Sequence, residues 1–140
     1  MEDKSLALIH AWVQLSGILK NSRFTKGLGY NEAIVMLQLL ESNGSPISIK
    51  EITTKTRMLK SQVNRTVNAL VSKGLLQRCE GQGDRRICYV RAVKEKLDVC
   101  LNVHASSVEI AKKIGNIIGP EDTEAFIRIV NKLALSGYHL

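Results

Sequence analysis

An acid-free stretch from Met58 to Arg78 constrains the fold and the function of this chain more than any other part of its sequence. At helical spacing the stretch separates into an apolar stripe and a polar face. The stripe contains Val63, Val67, Leu70 and Val71. The opposite face carries Ser61, Asn64, Arg65, Asn68 and Ser72, with Lys60 and Gln62 near its start. A solvated helix surface usually mixes both signs of charge. Amides, hydroxyls and an arginine are instead the groups that bond base edges and phosphates in a major groove.

The residues before this stretch predict a second, shorter helix and a tight connection. Residues 42–46 are a strong turn signal, and Ser48 with Glu51 fits a capping box that starts a helix of about eight residues. The polar helix then begins near Leu59, which is a poor N-cap, and Gly74 suits a left-handed cap at its end. Two short helices in this order, the second polar outside, predict a helix-turn-helix.

A β-hairpin is predicted directly after the polar helix. Residues 75–80 and 87–92 have strand character, and the loop between them contains two glycines and an aspartate. Arg85 and Arg86 lie at the loop tip and are expected to be exposed. Arginine at such a tip suits a narrow minor groove, where the potential of DNA is most negative. The hairpin is therefore interpreted as a wing.

Positive charge is concentrated in the same region. Residues 50–96 contain 12 Lys and Arg but only 4 Asp and Glu, a net +8, whereas the whole chain carries +7. A basic middle between nearly neutral ends is the expected footprint of a polyanion site. A protein that was merely basic would spread its charge evenly.

Long apolar helices are predicted on both sides of the basic region. Helices are expected at 5–20 and 31–41, from 93 to 118, and from about Pro120 to Ser136. The first has an apolar arc too wide for a helix that touches one neighbour. Two explanations remain open: burial deep within the monomer, or packing against a second subunit.

Several other classes of protein are disfavoured by the sequence. No apolar run approaches the length of a membrane span, and the N-terminus lacks the features of a signal peptide, so a cytoplasmic protein without membrane association is expected. His10, His104 and His139 show no metal-ligand spacing with Cys or carboxylates. No nucleophile elbow, phosphate loop or HExxH motif is present. We therefore expect no metal, no cofactor and no enzymatic activity.

At residues 63–78, Val-Asn-Arg-Thr-Val-Asn-Ala-Leu-Val-Ser-Lys-Gly-Leu-Leu-Gln-Arg, the chain resembles the recognition helix and exit of the multiple-antibiotic-resistance regulator (MarR) family of bacterial winged-helix repressors. Gly83-Asp84-Arg85-Arg86 resembles that family's wing tip. The resemblance implies that Asp84 orients Arg86, which enters the minor groove. It also implies a homodimer on a palindromic operator, and a cleft in which small-molecule effectors bind.

Two cysteines of the hairpin suggest a redox hypothesis. If Glu80 pairs with Ile87, Cys79 faces Cys88 across the strands, close enough to interact. Oxidation there would distort the wing and release DNA, as thiols do in some members of the family. The alternative is that both are reduced strand thiols in a reducing compartment.

Taken together, these patterns predict a mainly α fold with a small β-hairpin, an α+β winged helix-turn-helix. Residues 1–140 are expected to form one domain, with a DNA-binding part at about 30–93 and dimerisation helices at 1–22 and 94–140. The predicted function is a dimeric DNA-binding regulator, a repressor released by a small molecule or an oxidant. The alternatives are a winged-helix module that docks an acidic protein and a small-molecule binder without DNA activity. The predicted DNA contacts are Lys60, Ser61, Gln62, Asn64, Arg65, Asn68, Arg85 and Arg86, with Arg57 and Lys73 as further phosphate contacts.

Overall fold

The structure is a computed structural model that describes residues 2–22, 27–42, 44–80, 83 and 86–137. The described residues form six α-helices, a short 3-10 helix and three strands, which confirms the predicted mainly α fold with a small β-hairpin. The elements are, in order, α1 (Glu2–Asn21), α2 (Tyr30–Glu41), β1 (Ile47–Ser48), α3 (Ile49–Thr56), α4 (Lys60–Ser72), β2 (Leu76–Glu80), β3 (Cys88–Ala92), the 3-10 helix (Lys94–Lys96), α5 (Leu97–Ile118) and α6 (Pro120–Leu135).

The chain divides into two compact units, Met1–Ser106 and Ser107–Leu140, with the boundary inside α5. The limits proposed from the sequence for the DNA-binding and dimerisation parts stay a prediction. None of the helices in the described ranges is both long and apolar enough to cross a membrane.

The first unit has a well-packed apolar core built mainly by α2, α3, α4 and the sheet. Its buried apolar side chains are Ala33, Val35, Met36, Leu39, Ile47, Ile49, Ile52, Val63, Val67, Leu70, Leu75, Leu76, Val90, Cys100 and Val103. The predicted stripe of α4 is confirmed at three positions, but Val71 is 36% exposed. Thr66, which was not part of the predicted stripe, is buried, and its hydroxyl donates to the Gln62 backbone carbonyl at 2.7 Å. This internal bond lets a threonine occupy a core position.

The sheet has three strands in the order β1-β3-β2, all antiparallel. The sequence did not indicate β1, because two residues are too few for an alternating pattern and Ser48 was already assigned as a helix cap. Both roles coexist: Ser48 pairs with Tyr89, and its hydroxyl accepts a hydrogen bond from the Glu51 backbone N–H at 3.0 Å. The short strand thereby attaches α3 to the wing, meaning β2, β3 and the loop between them.

Two predicted helix starts are wrong. The N-cap of α2 is Gly29 rather than Asn31, and the Glu32 side chain accepts from the Gly29 N–H at 3.0 Å. The fifth helix begins at Leu97 rather than at residue 93. Val93 stays extended because its N–H donates to the Leu75 carbonyl at 3.0 Å, which continues the pairing of β2 and β3.

The second unit contains the end of α5 and all of α6. Gly119 separates the two helices at φ +87°, a conformation that favours glycine. Pro120 follows in the first turn of α6, where a missing N–H costs nothing. The carboxylates of Glu121 and Asp122 lie in the same turn, as the helix dipole favours.

Candidate nucleic-acid interface

The start of α4 is fixed by Gln62, which compensates for the poor cap at Leu59. The Leu59 backbone N–H donates to Gln62 Oε1 at 3.0 Å, so the third residue of the helix reaches back to satisfy a donor at its start. Gln62 is half-buried. The sequence placed Gln62 among the groups that bond DNA, but its side-chain oxygen, Oε1, is already used to cap the helix.

The end of α4 is set by Gly74, as the sequence predicted. Gly74 has φ +76° and its N–H donates to the Val71 carbonyl, while the Leu75 N–H donates to the Leu70 carbonyl, both at 3.0 Å. This is the Schellman arrangement, which satisfies carbonyls at a helix end. The chain turns directly from α4 into β2, and the wing therefore follows the helix without a flexible linker.

The outer face of α4 presents polar and basic side chains to solvent. Lys60, Ser61, Arg65 and Asn68 are exposed, and Asn64 is half-buried. The helix contains no Asp or Glu. The structure therefore brings five of the predicted DNA-binding residues onto one surface.

A groove of about 590 Å³ lies between α3, the first turns of α4 and the wing. Lys50, Lys60 and Arg86 contribute three cations to its lining, beside Asn64 and Tyr89. Arg86 is exposed. Residues from the predicted major-groove and minor-groove elements thus line one cavity. Asp84 and Arg85 lie outside the described residues, so the predicted orientation of Arg86 by Asp84 stays a prediction.

Lys73 has an internal role that the sequence did not reveal. Its ammonium lies 2.9 Å from Glu32 Oε1 and 2.7 Å from Oε2, and it donates to the Gly27 carbonyl at 3.0 Å. Glu32 is 15% exposed, so the pair is partly shielded from water. The ammonium that was expected to contact phosphate instead connects the end of α4 to the start of α2. These residues are 41 positions apart in the sequence, and no local pattern could have paired them.

Arg78 is a second residue whose role was missed. It lies on β2, and its guanidinium donates through Nη2 to Asn68 Oδ1 at 2.6 Å and through Nη1 to Cys88 Sγ at 2.9 Å. One side chain therefore connects α4 with β3, the central strand of the sheet. The sequence shows an acid-free helix followed by an arginine in the next strand. The contact of this arginine with Cys88, however, depends on the register of the hairpin.

The register also changes the cysteine hypothesis. Glu80 pairs with Cys88 and Cys79 pairs with Tyr89, one residue away from the supposed pairing of Glu80 with Ile87. Because neighbouring residues of a strand point to opposite faces, Cys79 and Cys88 do not face each other. The supposed cross-strand contact is wrong. Cys88 is exposed, Cys79 is half-buried and Cys100 is buried.

The three thiols also differ in chemistry. Burial, and next the negative charge of Asp98, raise the pKa of the Cys100 thiol above its usual value. Cys100 therefore stays protonated and is a poor nucleophile. Cys88 lines the basic groove and accepts a hydrogen bond from Arg78. Cys88 is therefore the thiol of this surface that is accessible to solvent.

Comparison with known proteins agrees with this geometry. Residues 26–87, which extend from just before α2 to the residue before β3, match the sequence model of the MarR family. No curated protein is similar enough in sequence to count as a match.

Solved structures share the fold over nearly the whole chain. AbsC, a MarR family transcriptional regulator from Streptomyces coelicolor, aligns with a TM-score of 0.80 at 18% identity, over 97% of this chain and 97% of that one. The transcriptional regulator BldR from Sulfolobus solfataricus gives 0.77 at 23% identity, also over 97% of each chain. A mutant of MarR from E. coli complexed with operator DNA gives 0.74 at 17% identity, over 91% of each. The chain therefore shares the winged-helix fold of these structures, and its residues 26–87 are similar in sequence to the MarR family.

Proposed function

We propose that the chain is a transcriptional regulator that binds duplex DNA in the cytoplasm as a homodimer and is not an enzyme. The observation that carries this proposal is the acid-free outer face of α4 beside a groove lined by three cations. The structural relative from E. coli was solved with operator DNA, and this supports the same use of the fold here.

The proposed contacts divide into three kinds. Ser61, Asn64, Arg65 and Asn68 reach base edges in the major groove. Lys60 and Arg57 contact phosphates, which fixes the position of the helix without reading sequence. Arg86, assisted by Arg85 and oriented by Asp84, enters the adjacent minor groove.

Exposed apolar side chains support the dimer. In the first unit, α1 exposes Leu6, Leu8, Trp12, Val13 and Ile18; in the second unit, α6 exposes Phe126, Ile127, Ile129, Val130, Leu133 and Leu135. Apolar patches of this kind mark protein interfaces. Two copies related by a two-fold axis would present two copies of α4 to a palindromic operator, one to each half-site.

Binding to DNA selected from a random duplex library tests the two modes of readout. Asn64→Ala should weaken binding by about 5-fold to 150-fold and relax the preference at one base pair, since a lost base contact costs about 1–3 kcal/mol. Arg86→Ala should weaken binding and also lower the dependence on salt, because it removes a cation from the interface. Asn116→Ala, an exposed asparagine on α5, is the matched control and should bind as the wild type does. Wild-type affinity in both test variants would refute the assignment.

The salt dependence separates this proposal from its alternative. A module that docks an acidic protein would not select duplex sequences, whereas a DNA-binding dimer should show a steep fall of log K with log salt. A protein that ignores duplex DNA at low salt would contradict the proposed function.

The proposed regulator represses transcription and is released by a small molecule or an oxidant. Cys88 is the exposed thiol through which an oxidant would act. In Cys88→Ser, DNA binding should become resistant to peroxide, while Cys79→Ser should remain as sensitive as the wild type. Unchanged peroxide sensitivity in Cys88→Ser would exclude Cys88 as the sensor, and a wild type whose DNA binding is insensitive to peroxide would leave a small-molecule signal.

A further inference from the structure

The contact between Arg78 and Asn68 determines which half of the Asn68 amide is available to DNA. An asparagine side chain has one acceptor oxygen and one NH₂ group with two donors. Arginine has only donors and stays charged, so the amide atom that faces it must be the oxygen. At 2.6 Å the Nη2–Oδ1 bond is short, as expected for a charge-assisted hydrogen bond.

The second terminal nitrogen of the guanidinium, Nη1, bonds to the wing and holds this arrangement in place. Nη1 donates to Cys88 Sγ at 2.9 Å, on the strand that pairs with β2. Two directed bonds from one planar group hold its orientation better than a single contact would. Asn68 itself is exposed on the outer face of α4, so its NH₂ group keeps access to a ligand.

We propose that Arg78 is a positioning residue that makes Asn68 a donor-only reader of DNA. An unconstrained asparagine recognises adenine with both halves of its amide, accepting from N6 and donating to N7. Arg78 takes one lone pair of Oδ1 and holds this oxygen towards β2, so Asn68 meets DNA with the two donors of its NH₂ group. Its partner is therefore an acceptor: N7 of adenine or guanine, O6 of guanine, O4 of thymine, or a phosphate oxygen. This inference rests on the proposed function, because it assumes that α4 lies against DNA.

A double-mutant cycle on the selected operator tests the inference. Arg78→Ala, Asn68→Ala and the double variant are compared, with Arg91→Ala as the matched control. Arg91 is an exposed arginine on β3 of the same wing, opposite Gln77 in the pairing, so its loss removes the same charge. In the wild-type background Arg78→Ala should weaken binding at least about 5-fold more than Arg91→Ala. In the Asn68→Ala background the two should weaken binding equally.

The nature of the acceptor decides how the preference changes. For a base acceptor, selection with Arg78→Ala should shift the preference toward adenine at one base pair, because Oδ1 is released. For a phosphate acceptor, the loss should be equal on all sequences and should disappear when one phosphate is replaced by a neutral methylphosphonate. Either result supports the donor-only role.

Asn68→Asp provides a second variant that leaves Arg78 in place. It keeps an oxygen for the guanidinium but removes both donors, so it should lose affinity at least as strongly as Asn68→Ala.

The inference is overturned if the wild type binds DNA but Arg78→Ala costs as much in the Asn68→Ala background as in the wild type. It is also overturned if Asn68→Asp keeps the wild-type affinity. A wild-type protein that binds no duplex at low salt would instead refute the proposed function itself.

Discussion

The helices α4 and α6 have similar apolar stripes but use them differently. In α4 the stripe residues Val63, Val67 and Leu70 are fully buried, and the exposed residues are polar or basic apart from Ala69 and Val71. In α6 no apolar residue is buried, and Leu133 is 61% exposed. Helix periodicity alone therefore does not show whether an apolar stripe packs against other residues of the same chain. The comparison teaches that α4 is completed by its own unit, whereas the apolar stripe of α6 stays exposed and is available to the proposed dimer.

The largest effect is expected from a deletion in the buried stripe. Leu70→Ala should lower the free energy of unfolding by about 2–5 kcal/mol, because it leaves a cavity in a fully packed core. Urea denaturation followed by circular dichroism measures the change. The loss should be the same at every protein concentration. A loss below about 1 kcal/mol would show that α4 is not completed by its own unit in the way described.

A charge in the exposed stripe should instead affect association. Leu133→Glu should weaken the dimer at least about 10-fold, since a buried unpaired charge costs more than 1.4 kcal/mol. Sedimentation velocity measures this directly. The unfolding temperature of the wild type should rise with concentration, and that of the variant should not.

Thr54→Glu, on the exposed surface of α3, is the control for added charge and should remain dimeric. A Leu133→Glu protein that still dimerises like the wild type would refute the proposal that the exposed stripe of α6 forms the dimer interface.

The smallest effects separate two lysines at opposite ends of α4. Lys73→Ala should lower the free energy of unfolding by about 1 kcal/mol or less, because it breaks a partly exposed ion pair and leaves Glu32 without its cation. The salt dependence of DNA binding should not change. Lys60→Ala should do the reverse, leaving stability unaltered and lowering the salt slope by about 1. If Lys73→Ala reduced the slope as much as Lys60→Ala, the internal role of Lys73 would be refuted.

Local patterns predicted the elements and their outward faces well. The polar face of α4, the left-handed Gly74 and the Ser48 cap all follow from residues within one or two helical turns of each other. Such features depend on backbone geometry and on the period of hydrophobic residues, both of which are present in the sequence. The resemblance to the family agreed with them, and residues 26–87 match that family's sequence model.

Contacts between distant residues could not be predicted in this way. The partner of Cys88 depends on the register of the hairpin. In the observed register Cys88 pairs with Glu80 and accepts from Arg78, whereas a shift by one residue would place it opposite Cys79. Lys73 was expected to contact phosphate, since the sequence gives no sign of its partner Glu32, which lies 41 positions away in another helix. The site was thus predicted as a set of exposed residues, while the bonds that occupy Gln62, Asn68 and Lys73 required the folded structure.

Glu32 serves two helix ends with one carboxylate. It accepts the Gly29 N–H at the entrance to α2 and holds Lys73 at the exit of α4. A shorter acid at this position could not reach both, so even aspartate would sacrifice one of the two bonds. Any rearrangement of the chain entering α2 would therefore be transmitted to Lys73 at the end of α4, which makes this carboxylate a mechanical link to the surface proposed to face DNA.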